Sequence, residues 1–166
     1  MSSIQRLTPN DITELELKTL PVLKELSLEN LENLLSVCQL KTFNDKEFLI
    51  KEGSYDPWIF ILLEGKVSVI VEQLEVTVIH TRGALFGEAA LIDDSPRKAD
   101  VIAQPYCKCL CIDSVLMKEV LCATNMMFYA HFYKHISKLL SERLSYTSEE
   151  LSLVKRAFNA MLNTTQ

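Results

Sequence analysis

The sequence predicts an α+β protein, in which an antiparallel double-sheet β jelly roll of about eight strands is flanked by an N-terminal helix and C-terminal helices. Between residues 39 and 113, the runs Trp58–Leu63, Val67–Val71 and Val76–Ile79 are rich in the β-branched and aromatic residues that strands prefer. Turn signals such as Asp56-Pro57 separate these runs. Many short strands joined by turns are typical of a jelly roll.

Helical periodicity is found on both sides of this β region. The apolar positions from Leu28 to Cys38 follow helical spacing, and Ser27 is a suitable N-cap. Before them, Ile12, Leu15 and Leu17 suggest a short helix. After the strands, a cap at Asp113 or Ser114 would begin a helix through Leu121.

A longer apolar stripe predicts a further helix from near Asn125. The run Thr147-Ser148-Glu149-Glu150 then resembles a capping box that opens a final helix. We therefore divide the chain into four parts. They are an N-terminal segment (1–22), the jelly roll (23–124), a C-terminal lid or dimer helix (125–146) and a terminal helix (147–166).

Composition restricts the functional class. The chain has 166 residues, of which 48% are hydrophobic, so it can form one domain with a core. No apolar run approaches the ~20 residues that span a bilayer, and residues 1–10 lack the order of a signal peptide, so we expect a cytoplasmic protein without membrane contact. The net charge is −5, and few residues follow the long helix, so we expect no direct DNA binding.

The sequence contains no recognisable catalytic or metal-binding motif. Cys107, Cys109 and Cys111 alternate along one predicted strand, which places them on one face. They could form a soft-metal or redox cluster, but no Cys-x-x-Cys pair or nearby histidine completes a ligand set, so a role in the core is favoured. His131 and His135 are four residues apart and lack a third ligand. We therefore expect no enzyme, no metal and no cofactor.

The stretch from residue 86 to residue 101, F-G-E-A-A-L-I-D-D-S-P-R-K-A-D-V, carries the strongest functional signal. Gly87 would let the backbone approach a ligand that a Cβ would block. The residues after it favour a short helical turn, whose unpaired N–H groups at Ala89 and Ala90 would point at an anion. Arg97 offers a planar fork of donors that suits two phosphate oxygens.

This pattern resembles the phosphate-binding cassette of cyclic nucleotide-binding domains, the family of the catabolite activator protein and the kinase regulatory subunit. The resemblance covers roughly Leu23 to Leu144, and the four glycines fall where the family places turn glycines. It implies that Arg97 and the cassette amides hold the phosphate, while Glu88 accepts from a ribose hydroxyl. The implied ligand-binding residues are Gly87, Glu88, Ala89, Ala90, Arg97, Lys98 and Ala99.

The resemblance also bears on which base is bound. In the family, threonine directly after the arginine accompanies cGMP, whereas alanine or serine accompanies cAMP. Lys98 occupies that position here, which argues against cGMP and leaves cAMP as the favoured ligand. Lys98 could add charge to the phosphate or point into solvent, and His80 could meet the base or be an exposed edge residue. Phe128, Phe132 and Tyr133 could cover the purine as a lid, or belong to the core or a dimer contact.

The favoured function is a regulatory cyclic nucleotide-binding module that relays ligand occupancy to its C-terminal helices and to a partner or second subunit. A homodimer through Phe132, Ile136 and Leu139 is one possible output, and an unknown protein partner is another. The alternative is a degenerate fold that has lost the ligand and acts as a scaffold, for which Lys98 and His80 are the best arguments.

Overall fold

Seven strands and five helices form the described part of the chain, in a computed structural model that describes residues 4–6, 14–92, 95–122 and 126–164. The strands are β1 (Ile4–Arg6), β2 (Cys38–Phe43), β3 (Phe48–Ile50), β4 (Trp58–Val71), β5 (Leu74–Ile79), β6 (Leu85–Phe86) and β7 (Asp100–Asp113). The helices are α1 (Glu14–Lys18), α2 (Leu28–Ser36), α3 (Ala89–Ile92), α4 (Ser114–Cys122) and α5 (Met126–Thr164).

The two long strands β4 and β7 organise the sheets. Each has 14 residues, and they pair in antiparallel register from Trp58–Asp113 to Ile70–Asp100. The register shifts near their middle, so each strand bends and serves two sheets. One half of this pair carries β2 and β6, and the other carries β3 and β5. The predicted antiparallel jelly roll is confirmed, with seven strands among the described residues against about eight expected.

Gly65 lies at the bend of β4. Its φ is +80°, in the left-handed region that favours glycine. A Cβ built there would lie 1.9 Å from the carbonyl oxygen of Tyr106 on β7. At the bend, the backbones of the two strands therefore lie so close together that only glycine fits.

The core of the jelly roll lies between its two sheets. The rings of Phe60 and Phe86 stack there, with centroids 5.3 Å apart. Cys107, Cys109 and Cys111 are fully buried in the same cluster, as the core interpretation predicted. Burial raises the pKa of the Cys111 thiol to about 12, so this thiol stays protonated at neutral pH. Within the described ranges, no three His, Cys, Asp or Glu side chains gather as a metal site.

The helix caps agree with the sequence. The hydroxyl of Ser27 accepts from the backbone N–H of Asn30 at 3.3 Å and caps α2. At α4, one Asp113 oxygen accepts from two backbone N–H groups, at 3.0 and 3.1 Å. The short helix expected around Leu17 is α1, although residues 7–13 lie outside the described ranges. Strand β1, which pairs with β2, was not foreseen.

The predicted break in the C-terminal helix is wrong. α5 runs without interruption from Met126 to Thr164, and the run that resembled a capping box lies inside it. The apolar repeat continues in phase through this point. The described helix therefore keeps its backbone hydrogen bonds, and the cap is not used.

The chain forms two compact units, one up to Tyr129, which contains the jelly roll, and one from Ala130 onward, which contains most of α5. Among the described helices, none combines the length and the apolar character needed to cross a membrane. The four-part division proposed from the sequence remains a prediction, apart from the helix boundary corrected above.

We expect Gly65→Ala to lower the free energy of unfolding by at least about 3 kcal/mol, because the new Cβ is strained at positive φ and overlaps the Tyr106 carbonyl. Gly53→Ala is the matched control, since Gly53 has a similar φ of +76° but a Cβ added there would meet nothing within 4 Å. The control should lose only about 1–2 kcal/mol. Urea unfolding measures both, and equal losses would contradict the close approach at the bend.

Candidate functional site

The cassette residues follow β6 directly. Gly87 has φ +77°, and α3 begins two residues later at Ala89. A Cβ on Gly87 would lie 3.0 Å from the carbonyl oxygen of Trp58 and 3.2 Å from the side chain of Ile50. Packing against β4 and β3 therefore favours glycine here, and the approach of a ligand to its backbone remains a prediction. Asp93 and Asp94 lie outside the described ranges.

Arg97 is the best-anchored side chain of the cassette. It is 8% exposed, and its guanidinium forms a salt bridge with Asp56. Nε donates to Asp56 Oδ2 at 3.0 Å, while Nη2 donates to Asp56 Oδ1 at 2.5 Å and also reaches the carbonyl oxygen of Trp58 at 2.5 Å. Nη1 donates to the carbonyl oxygen of Gly87 at 2.8 Å. Since Nη1 carries two N–H groups, this contact leaves a second donor on the edge that faces away from Asp56.

Asp56 is a site residue that the sequence did not reveal. In the sequence, Asp56 is recognisable only as part of a turn with Pro57. Its Oδ1 also accepts from the backbone N–H of Trp58 at 3.0 Å, which fixes the carboxylate at the start of β4. The only available signal was indirect, since a buried arginine needs a carboxylate partner. Nothing in the local sequence singles out Asp56 from the other acids in turns.

Backbone hydrogen bonds fasten the arginine segment to the loop between β3 and β4. The N–H of Gly53 donates to the carbonyl oxygen of Arg97 at 2.8 Å, and the N–H of Arg97 donates to that of Ser54 at 2.9 Å. Asp100 adds a side-chain acceptor for the N–H of Glu52 at 2.7 Å. Arg97 is thus held by its backbone as well as by its guanidinium, so its direction is fixed before any ligand arrives.

One of the two cassette amides that were expected to be unpaired forms a hydrogen bond within the chain. The N–H of Ala90 donates to the carbonyl oxygen of Gly87 at 3.3 Å, so the prediction that this group is unpaired is wrong. The reason is that α3 already closes its first turn at this point. Ala89 is exposed, and Glu88 is 7% exposed. Of the two residues after the arginine, Lys98 is exposed and Ala99 is half-buried.

The candidates for the base and the lid lie in other elements. His80 is exposed and follows the end of β5. Phe128 is buried near the start of α5, with its ring edge-to-face with that of Tyr129 at 5.9 Å. Phe132 is buried and Tyr133 is exposed. A contact of any of these side chains with a base remains a prediction.

Comparison with known proteins identifies the family of the domain. The family model described as the cyclic nucleotide-binding domain matches residues 40–123, which is half of the chain and includes the whole cassette. The chain belongs to the cyclic nucleotide-binding domain family. Arg97 and Gly87 therefore lie within a recognised cyclic nucleotide-binding domain, and its matched part extends from β2 through α4.

The relatives of this domain include protein kinases. A cGMP-dependent protein kinase from Plasmodium berghei is 35% identical over 86 residues, which are 52% of this chain and 10% of the kinase. A cAMP-dependent protein kinase regulatory subunit from Candida albicans is 25% identical over 138 residues, which are 81% of this chain and 30% of the subunit. The chain thus spans between a tenth and a third of these two relatives.

Solved structures share the fold. A cyclic nucleotide-binding domain from Methylobacillus flagellatus is 19% identical with a TM-score of 0.70, and the match covers 80% of each chain. The regulatory domain of Toxoplasma gondii PKA with cAMP is 24% identical with a TM-score of 0.63, covering 76% of this chain and 47% of that one. At these identities the likeness concerns the jelly roll and its helices.

We expect Arg97→Ala and Asp56→Ala each to cost about 3 kcal/mol of stability, because each leaves the other charge buried without its partner. The double variant should lose clearly less than the sum of the two, since it removes both charges together. Urea unfolding followed by circular dichroism measures the three values. Strictly additive losses would contradict the Arg97–Asp56 interaction described above.

Proposed function

We propose that this chain is a regulatory module, not an enzyme, that binds a cyclic nucleotide and prefers cAMP to cGMP. The observation that carries the proposal is the fixed guanidinium of Arg97 within the cassette of a cyclic nucleotide-binding domain. We also propose that the module acts in the cytoplasm.

The geometry of Arg97 suits a phosphate. Asp56 occupies the edge of the guanidinium formed by Nε and Nη2, and the two charges neutralise each other. The opposite edge, at Nη1, lies beside Gly87 and therefore beside the residues that open α3. A phosphate oxygen could accept the second Nη1 N–H there, together with the amide of Ala89. A donor that is already ordered loses little conformational entropy on binding.

Glu88 is proposed to hold the ribose. Glu88 is 7% exposed, and its carboxylate oxygens are acceptors that suit the hydroxyl donors of a ribose. The phosphate and the hydroxyl of a cyclic nucleotide lie on the same ring. Glu88 follows Gly87 directly in the chain, and Arg97 Nη1 donates to the Gly87 carbonyl oxygen, so both residues adjoin Gly87.

The preference for cAMP is proposed from Lys98. A lysine has donors only and cannot supply the hydroxyl that the family uses for guanine. Its side chain is exposed, which favours the solvent-facing alternative over a contact with phosphate. Because the relatives named above include both cGMP- and cAMP-dependent kinases, both nucleotides belong in any test.

The proposed output is a change in the C-terminal helices, read by a partner or a second subunit. A ligand can drive such a change only if its free energy of binding differs between two states of the protein. The lid candidates Phe128, Phe132 and Tyr133 would be the side chains that make this difference.

A scaffold without ligand is the second candidate, and one observation favours it. Asp56, Gly87 and Trp58 already supply acceptors to Arg97, so packing alone gives this arginine a role. A domain that lost its ligand could therefore keep the arginine. The two candidates differ in one measurable property, which is affinity for a cyclic nucleotide.

We expect cAMP to bind, and Arg97→Lys to weaken binding by roughly 10- to 100-fold, because lysine keeps the charge but cannot contact Asp56 and phosphate in one plane. Isothermal titration with cAMP, cGMP and AMP measures this, after circular dichroism has shown that the variant is folded. Arg82→Lys is the matched control, since Arg82 bonds the Leu63 carbonyl outside the cassette. No binding of either cyclic nucleotide to the wild type would leave the scaffold as the function.

The role of Glu88 has its own test. In the wild type, 2′-deoxy-cAMP should bind more weakly than cAMP by about 1.5–3 kcal/mol, the value of a hydrogen bond to a charged group. In Glu88→Ala the two ligands should bind almost equally, because the acceptor is gone. Wild-type protein that does not distinguish the two ligands would refute the proposed contact with the ribose hydroxyl.

A further inference from the structure

The second half of α5 carries an exposed apolar stripe. It lies entirely in the unit that begins at Ala130, so it can be described on that helix alone. Its side chains have exposed fractions between 37% and 70%, which is high for large apolar residues. They are Leu140, Leu144, Leu151, Val154, Phe158 and Met161.

The spacing of this stripe is that of a coiled coil. Leu144, Leu151 and Phe158 are seven residues apart, and so are Leu140, Thr147, Val154 and Met161. The first set occupies the a positions of a heptad repeat and the second set the d positions, with alternating steps of four and three residues. Thr147 is the one polar member. We call the segment from Leu140 to Met161 the seam.

One pair of positions that flank the seam carries complementary charges. Glu150 is at a g position, and Lys155 is at the e position five residues later. In a parallel, in-register coiled coil, each g position faces the e position five residues later on the neighbouring helix. Glu150 of one chain would therefore face Lys155 of another. In an antiparallel arrangement g faces g and e faces e, so this pair would not form.

The b and f positions, which lie opposite the seam, are polar. The b and f positions from residue 142 to residue 159 are Glu142, Ser145, Glu149, Ser152, Arg156 and Asn159. Lys138 and Glu142 approach to 3.9 Å, and Arg156 donates to Ser152 at 3.1 Å. These intrahelical contacts support α5 without using the seam.

We propose that the seam joins copies of this chain in a parallel, in-register coiled coil. A second copy is the occupant because the seam matches itself, in apolar repeat and in charge. This inference deepens the proposed function, in that it names the second subunit which would read the C-terminal helix. The interface expected from the sequence included Phe132 and Ile136, which are buried in the single chain. The exposed seam replaces it as the proposed contact.

The composition of the seam bears on the number of chains. Leucine at a with β-branched residues at d favours more than two parallel helices, and the seam has Leu144 and Leu151 at a with Thr147 and Val154 at d. Ala157 at a g position and Leu162 at an e position widen the apolar surface beyond a two-stranded contact. The assembly therefore contains three or four chains.

The mass of the full chain in solution tests the seam directly. Wild-type protein should sediment as a multiple of 18.9 kDa, and Leu151→Glu should sediment as the monomer because it places a charge in the contact. Ser152→Glu adds the same charge on the polar side and should keep the wild-type mass. Leu151 is 52% exposed, so the variant should fold, and cooperative urea unfolding followed by the fluorescence of Trp58, the only tryptophan, checks this.

Each result has a distinct meaning. A monomeric wild type, or a Leu151→Glu variant with the wild-type mass, would overturn the seam. A wild-type dimer that Leu151→Glu dissociates would support the seam and overturn the chain number. None of these measurements uses a nucleotide, so a failure of nucleotide binding and a failure of the seam are told apart.

The parallel orientation is tested by charge reversal. Glu150→Lys should weaken association by about two- to fivefold for each pair, because it places two lysines opposite each other, and adding Lys155→Glu should restore it. Glu149→Lys changes the same charge at an f position and should have little effect. Equal effects of Glu149→Lys and Glu150→Lys, or no restoration in the double variant, would overturn the parallel register.

Discussion

The antiparallel pairing of β4 with β7 is the constraint on which the rest of the structure depends. Both strands are long enough to run through two sheets, and β2, β3, β5 and β6 each pair with one of them. The bend at Gly65 decides which half of each strand belongs to which sheet. Because side chains alternate along a strand, the same register also sets which residues of β4 and β7 enter the core.

The candidate site follows from this arrangement. Asp56 comes just before β4, Trp58 begins it, Gly87 follows β6, and Arg97 comes shortly before β7. Each of these segments is positioned by the strand next to it, and Arg97 then connects them through its guanidinium. Burying a guanidinium is costly unless it is paired and hydrogen-bonded, so the site and the local fold stabilise each other. A ligand at the Nη1 edge would meet a donor that is already in place.

The proposed ligand site and the proposed seam depend on different kinds of interaction. Nucleotide binding depends on a buried charge with directed hydrogen bonds, whereas self-association depends on exposed apolar area with a heptad repeat. The jelly roll unit holds the first and the unit from Ala130 onward holds the second. A regulatory module needs both a ligand site and a surface that can transmit its state, and this chain carries a candidate for each.

The sequence by itself determined the features that depend on near neighbours. These include the jelly-roll class, the caps at Ser27 and Asp113, the buried face of the cysteines and the cassette. Only the tertiary structure identified Asp56, which lies 41 residues from Arg97, and the short strand β1, whose three residues carry no periodic pattern. It also overruled the cap signal at Thr147, because a continuous helix keeps an apolar repeat that a local capping pattern does not register. Local patterns report contacts within a turn or a strand, whereas the partner of a buried charge depends on which distant segments strand pairing brings together.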